Sequence, residues 1–409
     1  MLKSNKILLL FLGLFFVSKV NFSQSSISLK AAIDSALKNN LLLKNERLKT
    51  EYQKIIIKSS ADIPQTMLIG EYGQINSVYT DNKFVIAQTL NFPSVYSKQK
   101  KAHKEEWKAS VLNSYAKEIE LKKNVSQAFY SLLVLKAKEK LLLTNDSLYI
   151  DFLQKIEQLF NKGQINALEK ASAIAQRGQL HIQLIQLREE IDLQQIEFQL
   201  LINTTQLQLP NESELKPILI SSFDSISIVQ HPSIQLLEKQ KQISLLEIKL
   251  QKSKLLPDLL FQYNNMSILG PGPDGILYTK TTRFKSVQAG IGIPLFYGAQ
   301  NAKINAAQIN QRISENNYQF EKQSLESELQ KTIKKYKNCK EILKYYDDVA
   351  LKNAADISNA ANLEIADKKI NYLELLMSIN QNISVHSDYL NVIQSLNENA
   401  IWIKYYLAN

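Results

Sequence analysis

The residues that could do chemistry are few in this sequence and lie far apart. The four histidines, at positions 103, 181, 231 and 386, do not share the short spacings that metal sites use. The single cysteine, Cys339, excludes a disulfide within the chain, and its place in a helical pattern favours packing in a helix seam. No phosphate-binding loop and no grouping of nucleophile and base is recognisable. The sequence therefore predicts no catalytic residue, no metal site and no cofactor, and it argues against an enzyme.

Two long helical patterns are interrupted by short polar or aromatic segments. Such interruptions predict helix–helix turns. We expect two, at residues 144–146 (Thr144, Asn145, Asp146) and 345–348 (Tyr345, Tyr346, Asp347, Asp348). Asp356 follows in the next helix.

The first 24 residues read as a secretory signal peptide. Lys3 and Lys6 precede an apolar run over residues 7–17, and small and polar residues follow it. We expect cleavage near Ser23 or Gln24. The processed end carries no cysteine, so we expect no lipid anchor.

Composition narrows the class of protein further. The formal net charge is +10, but no arginine-rich cluster is interleaved with aromatic residues, so nucleic-acid binding is not expected. Only 11 Gly and 9 Pro occur in 409 residues, which predicts few and long elements.

The order of the predicted elements occurs twice. We expect a first structural repeat at residues 25–206 with a β-hairpin at 65–92, and a linker at 207–230. A second repeat follows at 231–409, with a β-hairpin at 257–296. Residues 164–169 (Q-I-N-A-L-E) and 369–374 (K-I-N-Y-L-E) are near copies, and each places Asn three residues before Glu. That spacing predicts a capping box that starts a helix.

The helices following the hairpins are predicted to be long and coiled-coil-like. One seam alternates in steps of four and three, which implies left-handed supercoiling. Its members are Leu325, Leu329, Thr332, Tyr336, Cys339 and Leu343.

The predicted strands alternate between an apolar face and a polar or small one. Leu259, Phe261 and Tyr263 alternate with polar positions, as do Val287, Ala289 and Ile291. If the apolar face meets lipid, the polar face lines a barrel lumen, whose candidate residues are Gln262, Asn264, Ser286 and Gln288. Four strands cannot close a barrel, and open edges do not persist in lipid, so several chains would have to share one barrel. Three chains would supply twelve strands. The alternative is a pair of soluble hairpins packed on helices.

The order of these features resembles the TolC family of outer-membrane efflux proteins. The resemblance covers nearly the whole chain after the signal peptide. Five segments carry it: the helix with Leu29, Ala32-Ile33, Ala36-Leu37 and Asn39-Asn40; His231-Pro232; Pro257-Asp258; residues 293–298 (I-P-L-F-Y-G); and Gly163-x-Ile165-Asn166-x-Leu168-Glu169. Two departures are Lys368, where the second copy often has glycine, and the missing lipid-anchor cysteine.

The resemblance implies a mainly α-helical fold with membrane β-strands. Three chains would share a twelve-stranded barrel in the outer membrane of a Gram-negative bacterium, above a helical tunnel that crosses the periplasm. The partners implied are two further copies of the chain, outer-membrane lipid, a periplasmic adaptor (membrane fusion protein), and an inner-membrane efflux pump or secretion transporter. The chain itself would conduct passively.

With that fold, the two predicted turns would form the periplasmic tip. Asp347, Asp348 and Asp356 are candidates for the aperture, because acidic rings favour cations. Thr144, Asn145, Asp146, Tyr345 and Tyr346 are candidates for contact with the adaptor. The alternative for the acids is ordinary charge at a helix N-terminus. Two other protein classes stay open, a periplasmic adaptor and a secreted coiled-coil structural protein, and the exported substrate is not indicated.

Overall fold

The computed structural model describes residues 25–212, 215–221, 223, 228–366 and 371–408. The predicted signal peptide, residues 1–24, lies outside them. Helices of very unequal length dominate the described chain. They are α1 (Leu29–Asn39), α2 (Leu41–Ile56), α3 (Pro93–Asn161), α4 (Ala167–Ile202), α5 (Pro232–Ser253), α6 (Gly298–Tyr345), α7 (Leu351–Ala366) and α8 (Tyr372–Tyr406).

The two long helices after the hairpins are equal in length. The helix α3 has 69 residues, and α6, a π-helical turn (Tyr346–Ala350) and α7 together continue without a break over 298–366. Pro93 begins α3 at a position where the missing amide costs nothing. At 1.5 Å per residue, 69 residues span about 100 Å. None of the helices in the described ranges is both long enough and apolar enough to cross a bilayer.

The two predicted capping boxes are confirmed. The Oδ1 atoms of Asn166 and Asn371 accept the amides of Glu169 and Glu374, each at 2.9 Å. The two glutamates accept the asparagine amides in return, at 3.0 and 2.9 Å. These boxes start α4 and α8 just after the chain has reversed direction. In the first copy the reversal uses Gly163, whose φ of 68° suits glycine.

The turns predicted at 144–146 and 345–348 are wrong. Residues 144–146 lie inside α3, where the hydroxyl of Thr144 and the amide of Asn145 donate to carbonyls four residues earlier. Residues 345–348 lie at the end of α6 and in the π-helical turn, which is a local widening of a continuous helix. The actual reversals lie between α3 and α4 and between α7 and α8.

Four strands, β2 (Met67–Gly73), β3 (Asp81–Leu90), β5 (Asp258–Met266) and β8 (Phe284–Gly292), form one antiparallel sheet. Their order in the sheet is β2-β3-β5-β8. The pair β3–β5 joins the two hairpins, with Ile86 opposite Tyr263. Asp81 and Asn82 begin β3, so residues 74–80 connect β2 to β3. Two residue pairs, β6 (Gly270–Pro271) and β7 (Leu277–Tyr278), form a small ladder in the β5–β8 connection.

The segment between the repeats is held against the helices. Strand β1 (Ser25–Ile27) pairs in parallel with β4 (Gln208–Pro210). Further on, Asn397, which is fully buried, accepts the amide of Ile218 at 2.6 Å and donates to the carbonyl of Lys216 at 3.1 Å. The hydroxyl of Tyr336 bonds to Ile218 and Ile220 on the same segment. We call residues 215–221 the strap.

The helices lie side by side in two levels. Near the sheet, α3 contacts α2 and α5, and α5 contacts α6. Farther away, α3 contacts α4 and α8, and α8 contacts α6 and α7. The long helices run through both levels, so each level is a row of four. The core lies between neighbours in the row, and the predicted seam of α6 is buried there, except that Cys339 is half-buried.

Candidate channel wall and barrel face

One face of the four-stranded sheet is apolar over most of each strand, with Gln88, Asn265 and Lys285 among its polar residues. The register places Leu68, Ile86, Tyr263 and Val287 in one row across the sheet. Val287 is 84% exposed, and Leu68, Phe261 and Ile291 are each more than half exposed. Isolated apolar side chains are common on surfaces, but a continuous apolar sheet face marks contact with a partner or with lipid.

The opposite face brings together all four predicted lumen residues. Gln262 lies opposite Gln288, and Asn264 lies opposite Ser286. The Nε2 of Gln262 donates to Oδ1 of Asn264 at 2.7 Å, and Nδ2 of Asn264 donates to the Ser286 hydroxyl at 3.3 Å. These bonds form a polar patch on β5 and β8.

The first hairpin does not continue that polar patch evenly. Val85 lies opposite Asn264, and Ala87 lies opposite Gln262, so apolar groups border the patch. Nearer the turn, Lys83 and Glu71 form an ion pair at 3.7 Å on the same face. The sequence pattern indicated this polar face only in the second hairpin.

Both edges of the sheet are open in one chain. Strands β2 and β8 each pair on one side only. Unpaired amides and carbonyls cost several kcal/mol each in hydrocarbon. The edges must therefore meet other strands if this sheet is to lie in a bilayer.

The outermost helix α4 carries an apolar stripe with no neighbour in the described chain. Ile174, Ile185 and Ile196 are each more than half exposed and recur every eleven residues, as do Ile182 and Leu193. Eleven residues make three turns at 3.67 residues each, so the stripe runs nearly straight along the helix. This eleven-residue spacing is visible in the sequence and is a signal that could have predicted the stripe.

The opposite edge of the row has exposed apolar residues too. On α6 these are Ile309, Ile313 and Phe320, which is 71% exposed, and on α7 Leu363. Ile309 and Phe320 are again eleven residues apart. Ile309, Ile313 and Phe320 lie in the part of α6 that begins beside α5, in the level near the sheet, whereas α4 and Leu363 belong to the level farther from it. Each level thus has exposed apolar residues at an edge.

Polar contacts tie the helices near the first reversal. Nε of Arg177 on α4 lies 3.0 Å from Asp146 Oδ1 on α3. The buried hydroxyl of Tyr149 donates to Asn380 on α8 at 2.8 Å, and Asn380 donates to Gln176 on α4 at 3.2 Å. Of these residues the sequence analysis names only Asp146, as a candidate for adaptor contact. The contacts themselves were not predicted, because partners separated by 31 to 231 positions leave no local pattern.

The predicted aperture residues are exposed but are not at a turn. Asp347 and Asp348 lie in the π-helical turn, and Asp356 lies in α7. At 1.5 Å per residue, Asp347 is about 28 Å and Asp356 about 15 Å from the end of α7. The hydroxyl of Tyr389 has a raised pKa, first because it is buried and then because Asp347 is near. Asp347 therefore faces α8 of its own chain.

The predicted adaptor-contact residues are divided between surface and interior. Asn145 is buried, and Asp146 is paired with Arg177. The ring of Tyr346 lies 6.1 Å from that of Tyr389 and packs on α8, whereas Tyr345 is 59% exposed. With the turns absent, Thr144, Asn145, Asp146, Tyr345 and Tyr346 lose the geometric basis for that role.

Titratable groups do not gather into a reactive centre in the described residues. No group of three His, Cys, Asp or Glu side chains there is close enough to hold a metal ion. Burial raises the pKa of the Cys339 thiol, which disfavours the reactive thiolate.

Comparison with solved structures identifies this architecture. The CmeC outer membrane channel of Campylobacter jejuni superposes with a TM-score of 0.77 at 16% identity, over 93% of this chain and 85% of that one. The outer-membrane channel OprN gives 0.79 at 15% identity, over 93% and 89%. The open-state MtrE outer membrane channel of Neisseria gonorrhoeae gives 0.72 at 16% identity, over 93% and 89%. No family model and no curated protein matches the sequence. The chain thus has the fold of these channels, which confirms the fold class implied by the resemblance to the TolC family.

Proposed function

We propose that three copies of this chain form a passive duct through the outer membrane of a Gram-negative bacterium and into the periplasm. The observation that carries the proposal is the four-stranded sheet, which has one apolar face, one partly polar face and two open edges. The fold shared with outer-membrane channels supports it.

Closure between chains accounts for the open edges. Strand β8 of one copy pairs with β2 of the next, and three copies give a closed barrel of twelve strands, in which every backbone group has a partner. The row containing Leu68, Ile86, Tyr263 and Val287 then faces lipid. Gln262, Asn264, Ser286 and Gln288 face the lumen.

The same symmetry covers the apolar stripes on the helices. With each chain contributing a row of four helices, α4 of one copy lies beside α6 and α7 of the next. The stripe of Ile174, Ile185 and Ile196 is then buried between copies. A row repeated three times makes a wall of twelve helices at each level.

We place the contact with a periplasmic adaptor at the chain reversals rather than at residues 144–146 and 345–348. The loop 162–166 is exposed and lies at the far end of α3 from the barrel. An inner-membrane efflux pump or secretion transporter would deliver the substrate there. We propose no catalytic role, since the duct only conducts.

Opening of the far end would require the α3–α4 pair to move away from α8. The Tyr149–Asn380–Gln176 chain joins α3 and α4 to α8, so it stabilises the closed arrangement, whereas the Asp146–Arg177 pair lies within the α3–α4 pair. Asp347, Asp348 and Asp356 stay candidates for a cation-favouring lining, with Asp356 nearest to the tip.

The proposal is tested by conductance. Full-length protein purified in detergent is added to a planar lipid bilayer, with heat-denatured protein as the control. We expect discrete conductance steps that prefer cations. Protein that inserts as an oligomer yet never conducts would contradict the duct, as would protein recovered entirely without detergent.

A further inference from the structure

A solvent-open cavity of about 400 Å³ lies between α1, α3, α8 and the strap. One part of its lining is apolar and includes Ile33, Ile119 and Ile401. Another part is basic, with Lys122 and Lys123 from α3 and Lys404 from α8. Cavities of this size with an apolar lining and a few converging polar groups are typical of small-molecule sites.

Among the described residues these three lysines have no ion-pair partner, in contrast to several other lysines of α3. Lys108 and Lys136 each pair with a glutamate three residues away, at 2.6 and 3.0 Å. Within the described ranges, no ion pair involves Lys122, Lys123 or Lys404. The nearest acid to influence Lys123 is Glu120, which is itself paired with Lys117 at 2.7 Å.

Lys123 is fixed in place by aromatic rings. Its Nζ lies 3.9 Å from the centre of the Trp402 ring and 4.8 Å from that of Tyr405. Cation–π contacts of this kind hold the ammonium group without neutralising it. Burial lowers the pKa of Lys123, because it disfavours the charged ammonium group. An anion nearby would stabilise that charge.

The cavity lies too far from the sheet to be filled by lipid of the bilayer in which we propose that the strands lie. Lys122 lies 29 residues after Pro93, where α3 leaves the sheet, and this is about 44 Å along the helix axis. A ligand must therefore arrive from the aqueous phase.

We propose that this cavity binds an anionic amphiphile, that is, one carboxylate or phosphate headgroup on an apolar body. The headgroup is bound by Lys122, Lys123 and Lys404, and the apolar body lies against Ile33, Ile119 and Ile401. The cavity is formed within one chain, whereas arrival of the ligand from the aqueous phase rests on the proposed function, which places the strands in the membrane.

Tryptophan fluorescence can report binding directly. The chain has two tryptophans, so Trp107→Phe leaves Trp402, which is in contact with Lys123, as the only reporter. The probe is bromodecanoate, whose bromine quenches nearby tryptophan, added to full-length protein in zwitterionic lipid nanodiscs. We expect saturable quenching, competed by decanoate and by decyl phosphate but not by decanol or inorganic phosphate.

Matched charge variants test the lysines. In the W107F background, Lys122→Gln with Lys404→Gln should weaken bromodecanoate binding about tenfold or more, since charge-assisted contacts are lost. Lys108→Gln with Lys136→Gln removes the same charge from paired lysines of α3, each about 21 Å along the helix from Lys122, and should change affinity less than twofold.

Three results would overturn the proposal. The first is quenching that does not saturate, and the second is equal competition by decanol and decanoate. The third is an equal effect of both lysine pairs. A further arm uses nanodiscs containing brominated phosphatidylglycerol, in which quenching of Trp402 would show a membrane source and contradict arrival from the aqueous phase.

Discussion

At the scale of single residues, His231 is the buried histidine of the described chain. Its ring is 2% exposed, and Nδ1 accepts the amide of Ser233 at 3.3 Å, so the proton of the neutral ring is on Nε2. Burial lowers its pKa below the ordinary value, because the folded chain favours the neutral ring.

This burial predicts a loss of stability in acid. In the unfolded chain His231 takes up a proton as the pH falls through about 6.5, whereas in the folded chain it does so only at lower pH. The unfolding temperature should therefore fall between about pH 7 and 5. His231→Asn keeps a helix-capping side chain and removes the titration, so its unfolding temperature should depend less on pH. Equal pH dependence in the wild type and the variant would contradict this account, and exposed His181→Asn is the control.

The Tyr149–Asn380 hydrogen bond predicts an effect on opening, because it joins α3 to α8. Tyr149→Phe removes this bond and should favour the open duct by about 1 kcal/mol, or roughly fivefold in open probability. Arg177→Gln is the control, since its ion pair with Asp146 joins α3 to α4, which move together. Single-channel recordings that show the larger effect for Arg177→Gln would contradict the role of the Tyr149 hydroxyl.

At the scale of elements, the sheet gives a paired prediction from two neighbouring residues. Val287 lies on the apolar face and Gln288 on the polar one. Val287→Lys should prevent insertion, because a lysine facing lipid costs about 2–4 kcal/mol near the middle of a barrel strand. Gln288→Lys should insert normally and lower the preference for cations. Membrane fractionation measures insertion, and reversal potentials measure the preference for cations. Equal insertion of both variants would contradict the assignment of Val287 to the lipid face and Gln288 to the lumen.

The elements also show what the sequence could reveal. The capping boxes at Asn166 and Asn371 depend on residues three positions apart, and the strand faces depend on alternation, so both are predictable locally. The π-helical turn and the continuity of α3 through Thr144 and Asn145 are not predictable in this way. The side chains of Thr144 and Asn145 bond to carbonyls of their own helix instead of ending it. Local composition there indicates a break, but packing of α3 along α4 and α8 keeps the helix continuous.

At the scale of the whole molecule, the surfaces left open in one chain are complementary to each other. The free edges β2 and β8 lie at opposite sides of the sheet, and in the level of helices farther from the sheet α4 lies at one side and α7, with the end of α6, at the other. A ring of identical copies covers all of them with one kind of interface. The order of elements in the sequence predicted the duplicated halves, but which helices lie at the edges depends on contacts between distant residues.

The mass of the detergent-extracted protein tests this account most directly. It is measured by light scattering, with the contribution of the detergent subtracted, on protein from the outer-membrane fraction. We predict the mass of three chains. A single chain that stays in solution without detergent would contradict the shared barrel and the duct with it.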